Sequence, residues 1–336
     1  MKKNYLLLFI IITVIQVNCF FDSNKSFENQ INKILFLGDN INLFDKIITV
    51  NKIFDNSLNI EWTTNEIDKM ANEIKIEIGQ EGNPEIFMNK LQQYFFKEKL
   101  FEFDNNANLF LSGKNTDATI SIKDWIDLHS IEKVLKRRKG ICMSLSLIYL
   151  IIAEKLNMPI YGVLIPGHMF VRYEQQGMSG INVETTYSGK EFYDYFSFSG
   201  IDILDKDKII YGKLLNKKQI IAAYLNNIGL IYTFSNNLKK AKIIYNNVMQ
   251  LMPDFPEVYN NLGYIYKIEN DYEMAEKMFK KAIEIHPYNL FAITNLGILY
   301  YEQKRLNKAE IYLKESLKIN PNDPYVSKLL NEIKDK

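Results

Sequence analysis

Apolar positions change their spacing repeatedly along the chain. An uncharged apolar run from Tyr5 to Val17 comes first, followed over residues 20–58 by a polar linker whose scattered Ile, Leu and Phe fit one or two short helices. From "WTTNEIDKMANEI" to "NPEIFMNKLQQYFFKEKLF" apolar residues keep helical spacing, with Thr63 or Thr64 and Asn83-Pro84 as helix starts. "CMSLSLIYLIIAEKL" reads as one apolar helix over 142–156. "MPIYGVLIPGHMFVRYEQQG" and "GINVETTYSG" then alternate or run apolar between Pro and Gly, which predicts paired antiparallel strands. Helices followed by strands imply an α+β domain, placed at 59–215.

The last part of the chain, 216–336, is periodic. Gly229, Gly263 and Gly297 are separated by a constant 34 residues, and Tyr232, Tyr266 and Tyr300, then Ala241, Ala275 and Ala309, then Pro253, Pro287 and Pro321 keep the same step. Within a unit, Leu262, Tyr266, Ala275, Phe279 and Ala282 recur at helical spacing, describing two packed antiparallel helices that Pro287 terminates. The pattern resembles the tetratricopeptide repeat, with units at about 220–253, 254–287 and 288–321 and a closing helix in 322–336. Ser316 and Leu313 are mild variants. Such an array implies an all-α solenoid whose groove holds a protein or peptide; the alternative is a packing platform for the preceding domain.

Charge adds little. The 41 basic and 40 acidic residues nearly cancel, which argues against nucleic acid as a partner. Lys2 and Lys3 ahead of the first apolar run give 1–19 the layout of an export signal, and that run is shorter than the roughly 20 residues of a bilayer span. Cys19 resembles the acceptor cysteine of a bacterial lipoprotein signal, with Gln16 where an aliphatic residue is usual. The chain therefore reads as exported: periplasmic, or a lipoprotein of a bacterial envelope that meets the membrane only through its signal or lipid anchor. If Cys19 is removed or acylated, Cys142 has no intrachain partner for a disulfide.

Cys142 opens its helix, where unpaired amides and the helix dipole favour negative charge. An ordinary thiol near pKa 8.5 is only a few per cent ionised at neutral pH, while helix ends and cationic neighbours can bring it to about 3.5–7.5. Lys136, Arg137, Arg138 and Lys139 lie just upstream, and a solvated helix end is the commoner meaning of such a run. His168 and Glu184 follow on the predicted strands. In such a constellation imidazole takes the thiol proton and a carboxylate fixes the ring. The bland alternative is a buried cysteine beside a loop histidine.

"VLKRRKGICMSLSLIYLIIAEKLNMPIYGVLIPGHMFVRY" followed by "INVETT" resembles the bacterial branch of the transglutaminase-like superfamily, related in fold to papain-type cysteine proteases. The resemblance implies an α+β, papain-like core with Cys142, His168 and Glu184 as catalytic residues, and agrees with repeats after that core. Glu184 stands where the family usually has Asp, so Asn182, two residues earlier on the same strand face, could share the orienting role. Met143 replaces a tryptophan beside the cysteine. The function implied is an exported thiol enzyme carrying out acyl transfer or hydrolysis on a protein or peptide amide. Because some relatives lack the cysteine, the alternative is an inactive envelope scaffold that recruits a partner through its repeats. His129 and His286 read as structural. With no metal-ligand spacing, phosphate loop or calcium loop, the latter sought in "FDNNANLFLSGKNTD", no cofactor or metal is expected.

Overall fold

The computed structural model describes residues 24–35, 37–79, 83–104, 121–175, 177, 180–189 and 210–335. The expected export signal, Cys19 and most of "FDNNANLFLSGKNTD" lie outside them. Among the described residues no helix is long and apolar enough to cross a membrane.

Four helices come first: α1 (residues 24–35), α2 (Leu43–Phe54), α3 (Ile60–Ile78) and α4 (Pro84–Gln93), the last extended by a π-helical turn, Tyr94–Glu98. Asn42, Asn59 and Asn83 cap α2, α3 and α4 by accepting first-turn amides. Helix α3 thus starts ahead of the threonines read as its start. Thr63 and Thr64 donate their hydroxyls back to the carbonyls of Asn59 and Ile60, as mid-helix threonines do. Strand β1 (Glu102–Phe103), α5 (Ile122–His129), α6 (Ile131–Arg137), β2 (Lys139–Gly140) and α7 (Cys142–Lys155) follow. Next come β3 (Ile160–Ile165), β4 (His168–Tyr173), β5 (Ile181–Val183) and β6 (Leu214–Leu215), an antiparallel sheet in the order β5-β4-β3-β6. Every residue of α7 from Met143 to Ala153 is buried, so this helix is the axle of the domain, enclosed by the early helices and the sheet.

The repeats are the helix pairs α8 (Lys217–Phe234) and α9 (Leu238–Leu251), α10 (Pro256–Ile268) and α11 (Tyr272–Ile285), and α12 (Leu290–Glu302) and α13 (Leu306–Ile319), closed by α14 (Pro324–Lys334). A Cβ on Gly229, Gly263 or Gly297 would stand 2.4, 2.6 or 2.8 Å from Tyr245, Phe279 or Leu313, so each glycine admits the large side chain of its partner helix. Asn236, Asn270 and Lys304, again 34 apart, turn the chain between paired helices in the left-handed region, at φ 58, 62 and 59.

The first repeat is built into the α+β body. One continuous apolar core runs from Phe27 to Ile265 and takes in most of α8, while the outer helices form a second cluster around Ala275, Phe279 and Leu313. Polar bonds cross the same boundary. Tyr224 Oη donates to the His129 carbonyl (2.6 Å) and accepts from Asn51 Nδ2 (2.7 Å), Tyr232 Oη donates to the Ile53 carbonyl (3.1 Å), and Lys217 pairs with Glu154 of α7. The first repeat thus packs against the preceding helices and sheet, while the outer helices do not share that core.

Glu257, in the first turn of α10, reaches across as well. It accepts from Tyr211 Oη and from the Gly167 amide (3.4 Å), and its Oε2 is buried without a hydrogen-bond partner. Tyr211 in turn meets His286, the residue that caps the end of α11, edge-on at 5.4 Å. Burial raises Glu257 from its ordinary 4.5 to about 7. A raised carboxyl contributes stability that is complete below 4.5 and lost as pH climbs through 7. Glu257→Gln, which keeps the two bonds but cannot ionise, should therefore melt like the parent at pH 4. Near pH 8 it should be more stable by about 1–3 kcal/mol, read as thermal unfolding at the two pH values.

Candidate active site

The backbone delivers Cys142 to a helix start by a short, heavily constrained path. Helix α6 ends on Arg138, at φ 58, whose guanidinium is held by Glu66 (2.6 Å). Lys139 and Gly140 then pair in parallel with Glu102 and Phe103. A Cβ at Gly140 would sit 2.6 Å from Ser144 Oγ and 2.9 Å from Val134, so only glycine fits beneath the first turn of α7. The Ile141 amide donates to Ser144 Oγ (3.0 Å), closing the cap, and Cys142 becomes the first helical residue. The basic run does other work: Lys136, Arg137, Arg138 and Lys139 pair with Glu132, Asp127, Glu66 and Glu102 respectively. Its charge is spent on carboxylates away from the sulfur.

His168 arrives by a two-residue loop. Ile165 and His168 are paired across β3 and β4, joined by Pro166 and Gly167, the latter at φ +69 as the second central position of a type II turn demands. Strand β5 pairs Arg172 with Asn182 and Val171 with Val183. Continuing that register sets Glu184 on the face shared by Asn182, Phe170 and His168, diagonal to the histidine. His168 Nε2 and Glu184 Oε2 are 2.7 Å apart. This leaves Nδ1 for the thiol, and the imidazole is hydrogen-bonded to Cys142 as well. A backbone hydrogen bond from Met169, the next residue of β4, also reaches the sulfur. The His168 side chain keeps 24% of its surface exposed and that of Glu184 only 9%, so solvent meets the ring and not the carboxylate. Cys142 is half-buried and unpaired in any disulfide.

Electrostatics favours a charged pair. Burial pushes the Cys142 thiol up, but the hydrogen bond and charge of His168, with the Met169 amide, more than offset it and leave the thiol below its ordinary value. Burial disfavours imidazolium too, yet bonds to Cys142 and Glu184 carry His168 up to about 10. Glu184, pushed up by burial, is held below its usual range by His168 and by both polar groups of Thr186. The arrangement can thus hold thiolate beside imidazolium at neutral pH, with a buried carboxylate behind the ring.

Asn182 turns out to be engaged elsewhere: its Oδ1 accepts from Arg172 Nε at 2.6 Å, and the carboxylate on the ring is that of Glu184. The extra methylene of Glu184 is what lets it span from a strand end to the histidine while keeping a second oxygen on its own turn. His129, whose Nδ1 donates to the Trp125 carbonyl (2.8 Å), is wholly buried and lowered to about 4, a neutral structural residue. Nothing in the order or spacing of the three catalytic residues points to Met169, Ser146, Thr185 or Thr186. The Thr pair directly after Glu184 was the available signal, since Ser and Thr hydroxyls habitually bond nearby groups at turns. Among the described residues no group of three or more His, Cys, Asp or Glu could hold a metal ion.

Comparison with known proteins finds two kinds of similarity along the chain. Residues 123–195 match the model of the transglutaminase-like superfamily, and residues 222–255 and 254–322 match tetratricopeptide-repeat models. The chain is similar to a UPF0162 protein of Buchnera aphidicola subsp. Schizaphis graminum, 26% identical over 132 residues, which cover 39% of this chain and 44% of that protein. It is also similar to the UPF0162 protein of Vibrio cholerae serotype O1, 23% identical over 139 residues, 41% of this chain and 46% of that protein. The chain spans less than half the length of these curated relatives. Similar solved structures include the first TPR of Spaghetti (RPAP3) bound to the HSP90 peptide SRMEEVD, 20% identical, covering 34% of this chain and 90% of that one with a TM-score of 0.33. The Arabidopsis OM64 TPR domain is 16% identical over 35% of this chain and 98% of that one, with a TM-score of 0.34.

Proposed function

We propose that this chain, a transglutaminase-like core joined to C-terminal tetratricopeptide repeats, is an exported thiol enzyme that performs acyl transfer or hydrolysis on a protein or peptide amide. The observation that carries the reading is one imidazole bonded on one side to the Cys142 sulfur and on the other to a buried carboxylate. The Cys142 thiolate attacks the amide carbonyl carbon; the C–N bond breaks, and the proton on His168 passes to the leaving nitrogen, giving a thioester and a free amine. Water or a second amine then attacks the thioester, losing its proton to His168 and releasing the thiolate. Glu184 holds the ring and stabilises its charged form. The Cys142 amide, at the helix start, is the donor assigned to the tetrahedral oxyanion.

The repeats supply substrate or partner binding. A cavity of about 250 Å³ lies on the array, lined by Leu230, Phe234, Tyr245, Asn260, Tyr264 and Asn295 among others, a place where side chains of a bound segment would sit. Lys2 and Lys3 ahead of the apolar run, with Cys19 after it, support export to a bacterial envelope.

The test is to trap the acyl-enzyme. Incubation with a glutamine-containing protein and a tagged primary amine should place an acyl adduct on Cys142, found by mass spectrometry, and Cys142→Ala should lower tag incorporation by about a thousandfold. If the variant incorporates tag as fast as the parent, the enzyme reading fails and the scaffold, recruiting a protein through its repeats, is what remains.

A further inference from the structure

We infer that Thr186 is a positioning residue of this site, its amide and hydroxyl together holding one oxygen of Glu184 so that the other is presented to His168. The inference rests on the thiol-enzyme reading and adds a residue to it. Glu184 retains 7% of its surface, so each carboxylate oxygen must find donors inside the protein. Oε2 faces His168 Nε2 at 2.7 Å, and Oε1 accepts from the Thr186 amide at 2.9 Å and from Thr186 Oγ1 at 2.6 Å. A glutamate has one more rotatable bond than an aspartate. Two donors converging on a single oxygen remove that freedom and leave the opposite oxygen pointing one way.

The turn that carries Thr186 is itself tied to the two elements that carry the thiol and the imidazole. The amides of Tyr187 (3.2 Å) and Gly189 (2.9 Å) both donate to the Glu184 carbonyl, closing the turn. Thr185 Oγ1 lies 2.9 Å from Ser146 Oγ, which also donates to the Met169 carbonyl at 3.3 Å; Ser146 and Thr185 are both fully buried. Ser146 stands one helical turn beyond Cys142 on α7, and Met169 follows His168 on β4. Hydroxyls therefore close a ring from the thiol helix through the turn and the carboxylate to the imidazole and back to sulfur. On the same strand face Arg172 donates from Nε to Asn182 Oδ1 at 2.6 Å.

The experiment uses the full chain and follows alkylation at Cys142 by peptide mass spectrometry from about pH 4 to about pH 10, with thermal unfolding measured in parallel. Thr186→Val, which removes the hydroxyl at nearly constant shape, should move the alkylation midpoint upward and slow the reaction at pH 7 by about threefold to tenfold. Thr186→Ser should remain within about twofold of the parent. Thr186→Ala removes the same hydroxyl without adding a methyl against the carboxylate, and should give the same shift if Thr186→Val does not fold. A residue that merely packs would change the melting temperature and leave the midpoint alone. If His168→Ala shifts the midpoint and neither hydroxyl-free variant does, the inference is overturned while the thiol reading stands. If His168→Ala shifts nothing, both are overturned.

Discussion

His168→Ala is expected to slow alkylation of Cys142 at pH 7 by about tenfold or more, with the deficit vanishing above about pH 10. The direction follows from opposing influences on one sulfur. Burial alone raises the thiol, and the bond and charge of His168 are the largest effects that lower it. Once the imidazole is removed burial remains, so the thiol moves to or above its ordinary range and only a few per cent is ionised at neutral pH. The loss stays smaller than the change in thiolate population because a more basic thiolate is also a better nucleophile. The parent rate should be nearly flat across neutral pH, whereas the variant's should climb steadily into alkali.

Tyr224→Ala is expected to unfold the α+β body and not merely the repeat that contains it. The ring is wholly buried, and its hydroxyl joins Asn51 of α2 to the carbonyl of His129. Truncating a large buried side chain costs about 3–5 kcal/mol, and two stranded polar groups add about 1–3 kcal/mol each. Against a total stability of about 5–15 kcal/mol that is most of what holds the domain. Ala275→Asp offers the contrast. It buries a charge in the outer cluster, so α11 and the helices beyond it should lose helicity while Cys142 keeps its alkylation profile. Circular dichroism with Cys142 alkylation on both variants checks the pair. Equal loss of thiol reactivity in the two would contradict a boundary lying beyond the first repeat.

That boundary was hidden from periodicity. The step of 34 residues defines helix pairs and their glycine contacts, and Gly229 against Tyr245 and Gly263 against Phe279 appear as the spacing requires. Spacing says nothing about which outer surface a terminal repeat covers. In α8 the residues that decide it, Ile220, Ile221, Tyr224 and Ile228, look like ordinary helix-core residues in the sequence yet pack against the preceding domain. The order of Cys142, His168 and Glu184 was legible because helix start, tight turn and strand each have strong local signals: Gly140, Pro166-Gly167 and apolar alternation. The clamp of Thr186 on Glu184 is local, and the Thr pair signals it, but the Ser146–Thr185 bond that ties this turn to α7 joins residues 39 apart and has no local signal. The basic run reads in the sequence mainly as a solvated helix end, and four partly exposed ion pairs engage its charges there.

The most direct measurement is a titration of the ultraviolet thiolate absorbance of the parent chain, with Cys142→Ala subtracted. The Cys142–His168 ion pair requires that most of this signal already be present at pH 7 and disappear only in acid. A signal that is small at neutral pH and rises with a midpoint near the ordinary value of about 8.5 would contradict it.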